Sequence, residues 1–86
     1  MSLYTPEVKK IFKTMKAPYP KFIVDMIEHD DYLELLVYKT NIEEFSDGQK
    51  VALAEYCYKL RDAIRSTGVK CHIGGSEGEP KRVRKK

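Results

Sequence analysis

The chain has 86 residues and a mass of 10.0 kDa, enough for one hydrophobic core and too little to close a second one. Hydrophobic residues make up 42% and charged residues 34%, a balance typical of soluble globular proteins that argues against wholesale disorder. The longest apolar run, residues 35–38, is far shorter than the ~20 residues that cross a bilayer, and the first residues lack the apolar stretch of a secretory signal. We therefore expect a single module in the cytoplasm or nucleus, without a membrane partner.

The formal net charge of +3 is unevenly distributed along the chain. Residues 1–21 contain five lysines and one acid, and residues 68–86 contain six basic residues and two acids. The centre, residues 22–67, has ten acidic residues against five basic ones. Basic ends around an acidic centre indicate an anionic partner at the ends, or cations that keep a small domain soluble.

The sequence predicts a first helix that begins after Thr5. A threonine hydroxyl, a proline and an acid in succession are typical of an N-cap and a first helical turn. Apolar side chains then recur at helical spacing, at Val8, Ile11, Phe12 and Met15. Pro18 and Pro20 end the helix, because the residue before a proline avoids helical backbone angles.

Residues 22–38 predict two antiparallel strands. Apolar side chains alternate over 22–26 and again over 33–37, and the polar residues 28–31 between them suit a hairpin loop. The β-branched residues of this segment favour strands. Because Phe22, Met26 and Ile27 also fit a helical spacing, an all-helical arrangement is the alternative.

A second helix is predicted by the sequence Ser46-Asp47-Gly48-Gln49, which has the form of a capping box. This helix extends to about Thr67, and Gly68 ends it in a left-handed conformation. Its expected buried face consists of Leu53, Cys57, Leu60 and Ile64. Residues 69–73 predict a third strand, which Gly74 and Gly75 end.

The predicted fold class is α+β, a two-layer sandwich in the order α-β-β-α-β, with a small three-stranded sheet and two helices. A right-handed crossover through the long helix makes the second and third strands parallel. The folded domain spans residues 1–75. Residues 76–86 have no large apolar side chain except Val83, so we expect them to form a disordered basic tail.

Residues that could support catalysis or hold a metal do not form a recognised pattern. His29 with Asp30 and Asp31 could serve a small enzyme as metal ligands or as a base, or form a solvated hairpin tip. Cys57 and Cys71 lack the paired spacing of zinc or redox sites and are expected to be buried thiols. We therefore predict no enzyme, no cofactor, no metal and no small-molecule substrate.

Basic residues supply the strongest functional signal. The last six residues, after Pro80, contain five cations, a run that can neutralise phosphates, serve as a nuclear import signal or aid solubility. The lysine face of the first helix could add a second contact. The candidate nucleic-acid contacts are Lys9, Lys10, Lys13, Lys81, Arg82, Arg84, Lys85 and Lys86.

The predicted strands are apolar on both faces. Tyr32, Leu36 and Tyr38 share one face of the second strand and are candidate partner contacts. Either each helix covers one face of the sheet, or one face is left for a partner, a second copy or stacked bases. Asp25 and Glu34 occupy the same outer positions and would repel a phosphate backbone, so a protein partner or a homodimer suits this face better.

The run from Ala54 to Ile73 resembles the helix-to-strand segment of the anticodon-binding domains of class II aminoacyl-tRNA synthetases. In both, a helix that ends in leucine and arginine is followed by a glycine and a short strand. The resemblance covers about a quarter of the chain and implies contact with RNA. The acidic centre and the missing first part of that domain's sheet argue the other way, and no residue roles are transferred.

Together these features predict a noncatalytic intracellular adaptor. Its folded surface would bind a protein partner or a second copy, and its basic tail would contact nucleic acid or act as a nuclear signal. The alternative is a small RNA- or DNA-binding module that uses the lysines of the first helix, the tail, and Tyr32 or Tyr38 stacked on bases.

Overall fold

The computed structural model describes residues 3–76 and has the element order α-β-β-α-α-β. The predicted α+β class is confirmed, and residues 22–38 form strands, so the all-helical alternative is wrong. A short helix directly after the second strand was not predicted. The predictions for residues 77–86 lie outside the described residues. The elements are α1 (Pro6–Thr14), β1 (Val24–Glu28), β2 (Leu33–Tyr38), α2 (Lys39–Ile42), α3 (Asp47–Arg65) and β3 (Cys71–Ser76).

The ends of the long helices are fixed by local sequence. The hydroxyl of Thr5 accepts a hydrogen bond from the Val8 amide at 3.3 Å and so caps α1. At the start of α3, Ser46 and Gln49 exchange both bonds of the predicted capping box. Gly68 has a φ of 96°, which confirms the left-handed stop after α3. No helix within residues 3–76 has the length and apolar character to span a bilayer.

The sheet has the order β1-β2-β3, with β2 antiparallel to β1 and parallel to β3. The parallel pairing of β2 with β3 was predicted and is confirmed. The predicted bounds of the third strand are wrong, because β3 begins at Cys71 and continues through both glycines, which pair with Leu36 and Val37. Gly74 is tolerated in the strand because the Glu34 carboxylate fills the space above it, where a Cβ would overlap that group.

Both long helices pack on the same face of the sheet, which we call the closed face. Val8 of α1 and Leu60 and Ile64 of α3 form one cluster with Leu33 and Leu35 of β2. The Tyr56 hydroxyl of α3 also donates to the Met15 carbonyl at 2.9 Å, which ties the two helices together. The arrangement in which each helix covers one face is therefore wrong.

A second cluster continues the core along the closed face toward the start of α3. It contains Phe22, Val37, Leu53 and Cys57, all nearly inaccessible to solvent. Beside it, the buried Asn41 of α2 fixes the entry to β1. Its side-chain oxygen accepts from the Ile23 amide at 2.9 Å, and its side-chain nitrogen donates to a carbonyl at 3.1 Å. The buried amide is therefore satisfied rather than left without partners.

Candidate interaction surface

The second face of the sheet, which we call the open face, is not covered by a helix within residues 3–76. Ile27 of β1 and Leu36 of β2 lie near its centre, are partly exposed, and belong to neither core cluster. Apolar side chains that a small domain leaves outside its core are candidates for partner contact. The strand residues of the open face are Asp25, Ile27, Glu34, Leu36, Tyr38, His72, Gly74 and Ser76.

Three aromatic rings lie at one end of the open face, and we call them the ring cluster. His29 stacks on Tyr32 with ring centroids 4.4 Å apart and an interplanar angle of 15°. Tyr32 meets His72 edge-on, with centroids 5.1 Å apart. The hairpin supplies the first two rings and β3 supplies the third, so the cluster joins both outer strands across β2.

Polar contacts hold the ring cluster in place. The Nε2 atom of His29 lies 2.8 Å from Oε1 of Glu34, which reaches back from β2. On the other side, Nη2 of Arg65 lies 3.3 Å from Nδ1 of His72, while Nε of Arg65 donates to the Cys71 carbonyl at 2.7 Å. The rings are therefore held in one orientation by contacts within the fold itself.

The other end of the open face is closed by Tyr38. Its hydroxyl donates to Oδ2 of Asp25 at 2.7 Å, and only 6% of the residue is exposed. Tyr38, one of the three predicted contacts, is thus a buried support for Asp25 rather than an exposed ring. Tyr32 and Leu36 are partly exposed, and the structure places both on the open face.

The predicted lysine contacts lie elsewhere. Lys9, Lys10 and Lys13 are exposed on α1, and the Lys9 ammonium sits 5.5 Å from the ring centroid of Tyr4. Because α1 packs on the closed face, these lysines do not form one surface with Tyr32 and Leu36. The predicted contacts in the tail lie outside the described residues.

The groups considered for catalysis are dispersed. His29 is turned toward Tyr32 and Glu34, whereas Asp30 and Asp31 are exposed in the hairpin loop. Across the described part of the chain, no three His, Cys, Asp or Glu side chains are placed to share a metal ion.

Both cysteines are buried free thiols, as predicted. Burial raises the pKa of the Cys57 thiol to about 11. It also raises the pKa of Cys71, against the lowering effect of the nearby Arg65 and Arg61 guanidiniums. Because the thiolate is the reactive form, the environment of these cysteines favours packing over nucleophilic chemistry.

The ring cluster was not found by sequence reasoning. Glu34 and His72 are neighbours only because β2 and β3 pair in parallel with those two residues in register. The sequence predicts the parallel pairing but not its register, so it gives no signal that His72 reaches Tyr32. Alternation along β2 did indicate that Tyr32 and Leu36 share a face.

Comparisons with known proteins identify no relative. No protein-family model, no curated protein and no solved structure matches this chain. The resemblance of residues 54–73 to anticodon-binding domains therefore has no support beyond the residues themselves.

Proposed function

We propose that the chain is a noncatalytic interaction module that binds a protein partner through the open face of its sheet. The observation that carries this proposal is the placement of both long helices on the closed face, which leaves Ile27 and Leu36 outside both core clusters. Partly exposed apolar side chains bordered by polar groups are typical of protein interaction sites.

The charges on the open face indicate the kind of partner. Asp25 and Glu34 flank the apolar centre, so a matching surface would present an apolar patch bordered by lysine or arginine. The same carboxylates repel a phosphate backbone, which disfavours nucleic acid on this face. Stacking of a base on Tyr32 would also compete with His29, which already lies against that ring.

The basic tail, residues 76–86, has a different proposed role from the open face. Five cations among residues 81–86 suit contact with nucleic acid or an import receptor, with affinity but little sequence information. Such binding would weaken steeply as ionic strength rises, whereas an apolar interface on the open face would respond little. Salt dependence therefore separates the two activities within one chain.

The experiment uses a photo-reactive benzoylphenylalanine in place of Leu36, with the same group in place of Val51 as a control. Val51 is 60% exposed on α3, far from the open face. We expect a specific protein adduct from position 36 and none from position 51. The captured protein is then purified, and its affinity is measured for the wild type, Leu36→Lys and Val51→Lys.

Leu36→Lys should weaken binding at least about tenfold, because it removes an apolar contact and opposes a cationic rim. Val51→Lys should bind as the wild type does. A lysine at position 36 would lie beside the Asp25 carboxylate, so we expect the variant to fold. If its unfolding midpoint equals that of the wild type, a loss of binding is not caused by unfolding. Equal affinity in both variants contradicts the proposal. Salt-sensitive binding of labelled RNA that Tyr32→Ala abolishes would replace it with the nucleic-acid alternative.

A further inference from the structure

The outer edge of β3 offers backbone groups that no strand of residues 3–76 pairs with. The Leu33 amide donates to the Lys70 carbonyl at 2.9 Å, and this register directs the backbone of His72, Gly74 and Ser76 toward β2. The amides and carbonyls of Cys71, Ile73 and Gly75 consequently point away from the sheet.

Among residues 3–76, side chains bond only the beginning of this edge. The guanidinium of Arg65 bonds the Cys71 carbonyl at 2.7 Å and so covers the first outward acceptor. Ile73 and Gly75 follow, and no residue in the described range bonds their outward amides and carbonyls. Natural edge strands are usually protected by charges, prolines or bulges, and β3 has none of these at Ile73–Gly75.

An apolar groove runs beside the same edge. One part, of about 180 Å³, lies between the first half of α3 and the sheet, and a second part of about 370 Å³ continues toward Gly75. Gly75 adds no side chain to the groove. The space around it is open, because the nearest atom to a Cβ built there is the Val37 carbonyl oxygen at 3.8 Å. The apolar walls come from Val37, Ile42, Leu53, Cys57, Tyr58 and Ile73.

The flank of α3 that borders the groove is basic. Residues 50, 54, 58, 61 and 65 lie on one side of the helix, and three of them are Lys50, Arg61 and Arg65. The Arg61 guanidinium lies 5.1 Å from the ring centroid of Tyr58, which is 53% exposed. Two acids border this flank, Asp47 one turn before Lys50 and Asp62, which pairs with Arg61 at 3.1 Å, so the three cations outnumber the acids by one.

We infer that the β3 edge and this flank of α3 form a docking site for an extended, acidic peptide segment of a partner protein. The peptide adds a strand beside β3, and its backbone pairs with Ile73 and Gly75. Every second side chain faces the groove and α3, because side chains alternate along a strand. On that face of the peptide, apolar side chains enter the groove and acidic side chains next to them meet Lys50 and Arg61.

Other occupants fit these features less well. Phosphates accept hydrogen bonds but donate none to the outward carbonyls, so a phosphate backbone would satisfy only the amides of the edge. A second copy paired edge to edge would bring the basic flank and Lys70 of each molecule toward those of the other. An acidic strand supplies both backbone partners and the complementary charge.

The probe is a fluorescein-labelled peptide with valine and glutamate in turn at every second position and serine between them, so that valine and glutamate share the face toward α3. The control peptide has lysine in place of each glutamate. Binding is measured by fluorescence anisotropy on the full chain, and the bound residues by amide chemical shifts. We expect the acidic peptide alone to bind and to shift the amides of Ile73 and Gly75, while Met26 on β1 is unchanged.

Two variants locate the contacts. Gly75→Pro removes one outward amide without touching the ladder to β2, and should weaken binding about fivefold or more. Lys50→Glu should weaken it about threefold, whereas Lys59→Glu, the same charge change on the exposed side of α3, should not. If Gly75→Pro fails to fold, the comparison of Lys50→Glu with Lys59→Glu still tests whether the peptide binds beside the basic flank.

Several results would overturn the inference. They are binding of both peptides alike, absence of amide shifts at Ile73 and Gly75, and equal affinity of the Lys50→Glu and Lys59→Glu variants. Edge shifts that appear with protein concentration alone would assign the edge to a second copy, and shifts with a labelled oligonucleotide alone would assign it to nucleic acid. Leu36→Lys should bind the acidic peptide as the wild type does, which keeps this site separate from the open face.

Discussion

The two faces of the sheet are stabilised in different ways. On the closed face, Leu33 and Leu35 are completely buried against two helices, so the exclusion of water from apolar side chains stabilises that face. On the open face, strand and loop side chains bind each other instead, as His29 does with Glu34. A face organised by contacts among its own residues keeps its shape without a covering helix, and so can be available to a partner.

The sharpest test of this difference compares one leucine from each side of the sheet. Leu60 of α3 is fully buried against the closed face, and Leu60→Ala should lower the free energy of unfolding by about 2–5 kcal/mol. Leu36→Ala on the open face should lower it by about 1 kcal/mol or less, because that side chain is partly exposed already. Both values are measured by urea unfolding.

Equal losses in the free energy of unfolding for the two substitutions would contradict this difference between the faces. A loss below about 1 kcal/mol for Leu60→Ala would mean that the closed face is not the principal core. A loss above about 2 kcal/mol for Leu36→Ala would mean that the folded chain itself covers the open face. That second result would also remove the basis for placing a partner there.

Alkaline pH should lower the free energy of unfolding through the closed face, because Cys57 is buried there away from water. Burial raises the pKa of this thiol to about 11, and the pKa of an unfolded cysteine is about 8.5. Between these values the unfolded chain releases a proton that the folded chain retains, so stability is present below about pH 8.5 and falls as pH rises toward 11. These two pKa values correspond to a loss of about 3 kcal/mol from the cysteine across this window.

Urea unfolding at a series of pH values checks this expectation, with Cys57→Ala as the control. The variant starts less stable because it loses buried volume, but its stability should fall less steeply with pH. Burial raises the pKa of Tyr56, and in the wild type the Cys57 charge raises it further, so only the burial part of the Tyr56 slope remains in the variant. Parallel slopes for the wild type and Cys57→Ala would show that the thiol does not contribute.

Local sequence was sufficient to predict most elements, because their signals are local. The capping box at Ser46 and the left-handed Gly68 fix both ends of α3 within a few residues. The third strand was placed too early and too short, since glycine at 74 and 75 is a local signal for a turn. Parallel pairing with β2 overrides it, and that pairing is a property of the whole fold.

The arrangement of layers could not be predicted in the same way. An amphipathic α1 has one apolar stripe whichever face of the sheet it covers, so its sequence does not decide between the two. The hydrogen bond from Tyr56 to the Met15 carbonyl belongs to the contact that places α1 beside α3, and it joins residues 41 positions apart. The open face and its ring cluster follow from this long-range choice.

The smallest expected effect separates the two adjacent glycines of β3. A Cβ at Gly74 would overlap the Glu34 carboxylate, so Gly74→Ala should displace Glu34 and weaken its bond to His29. A Cβ at Gly75 meets nothing closer than 3.8 Å, and Gly75→Ala should stabilise the fold by about 0.4–1 kcal/mol through the unfolded chain. In Gly74→Ala the same gain in stability is offset by the weakened Glu34–His29 contact, so the two variants should differ in free energy of unfolding by about 1 kcal/mol.

Urea unfolding measures the difference, and the imidazole NMR signals of His29 should move only in Gly74→Ala. Unchanged His29 signals in that variant would mean that the ring cluster does not depend on Glu34, and the open face would then lack the fixed geometry that suits it to a partner.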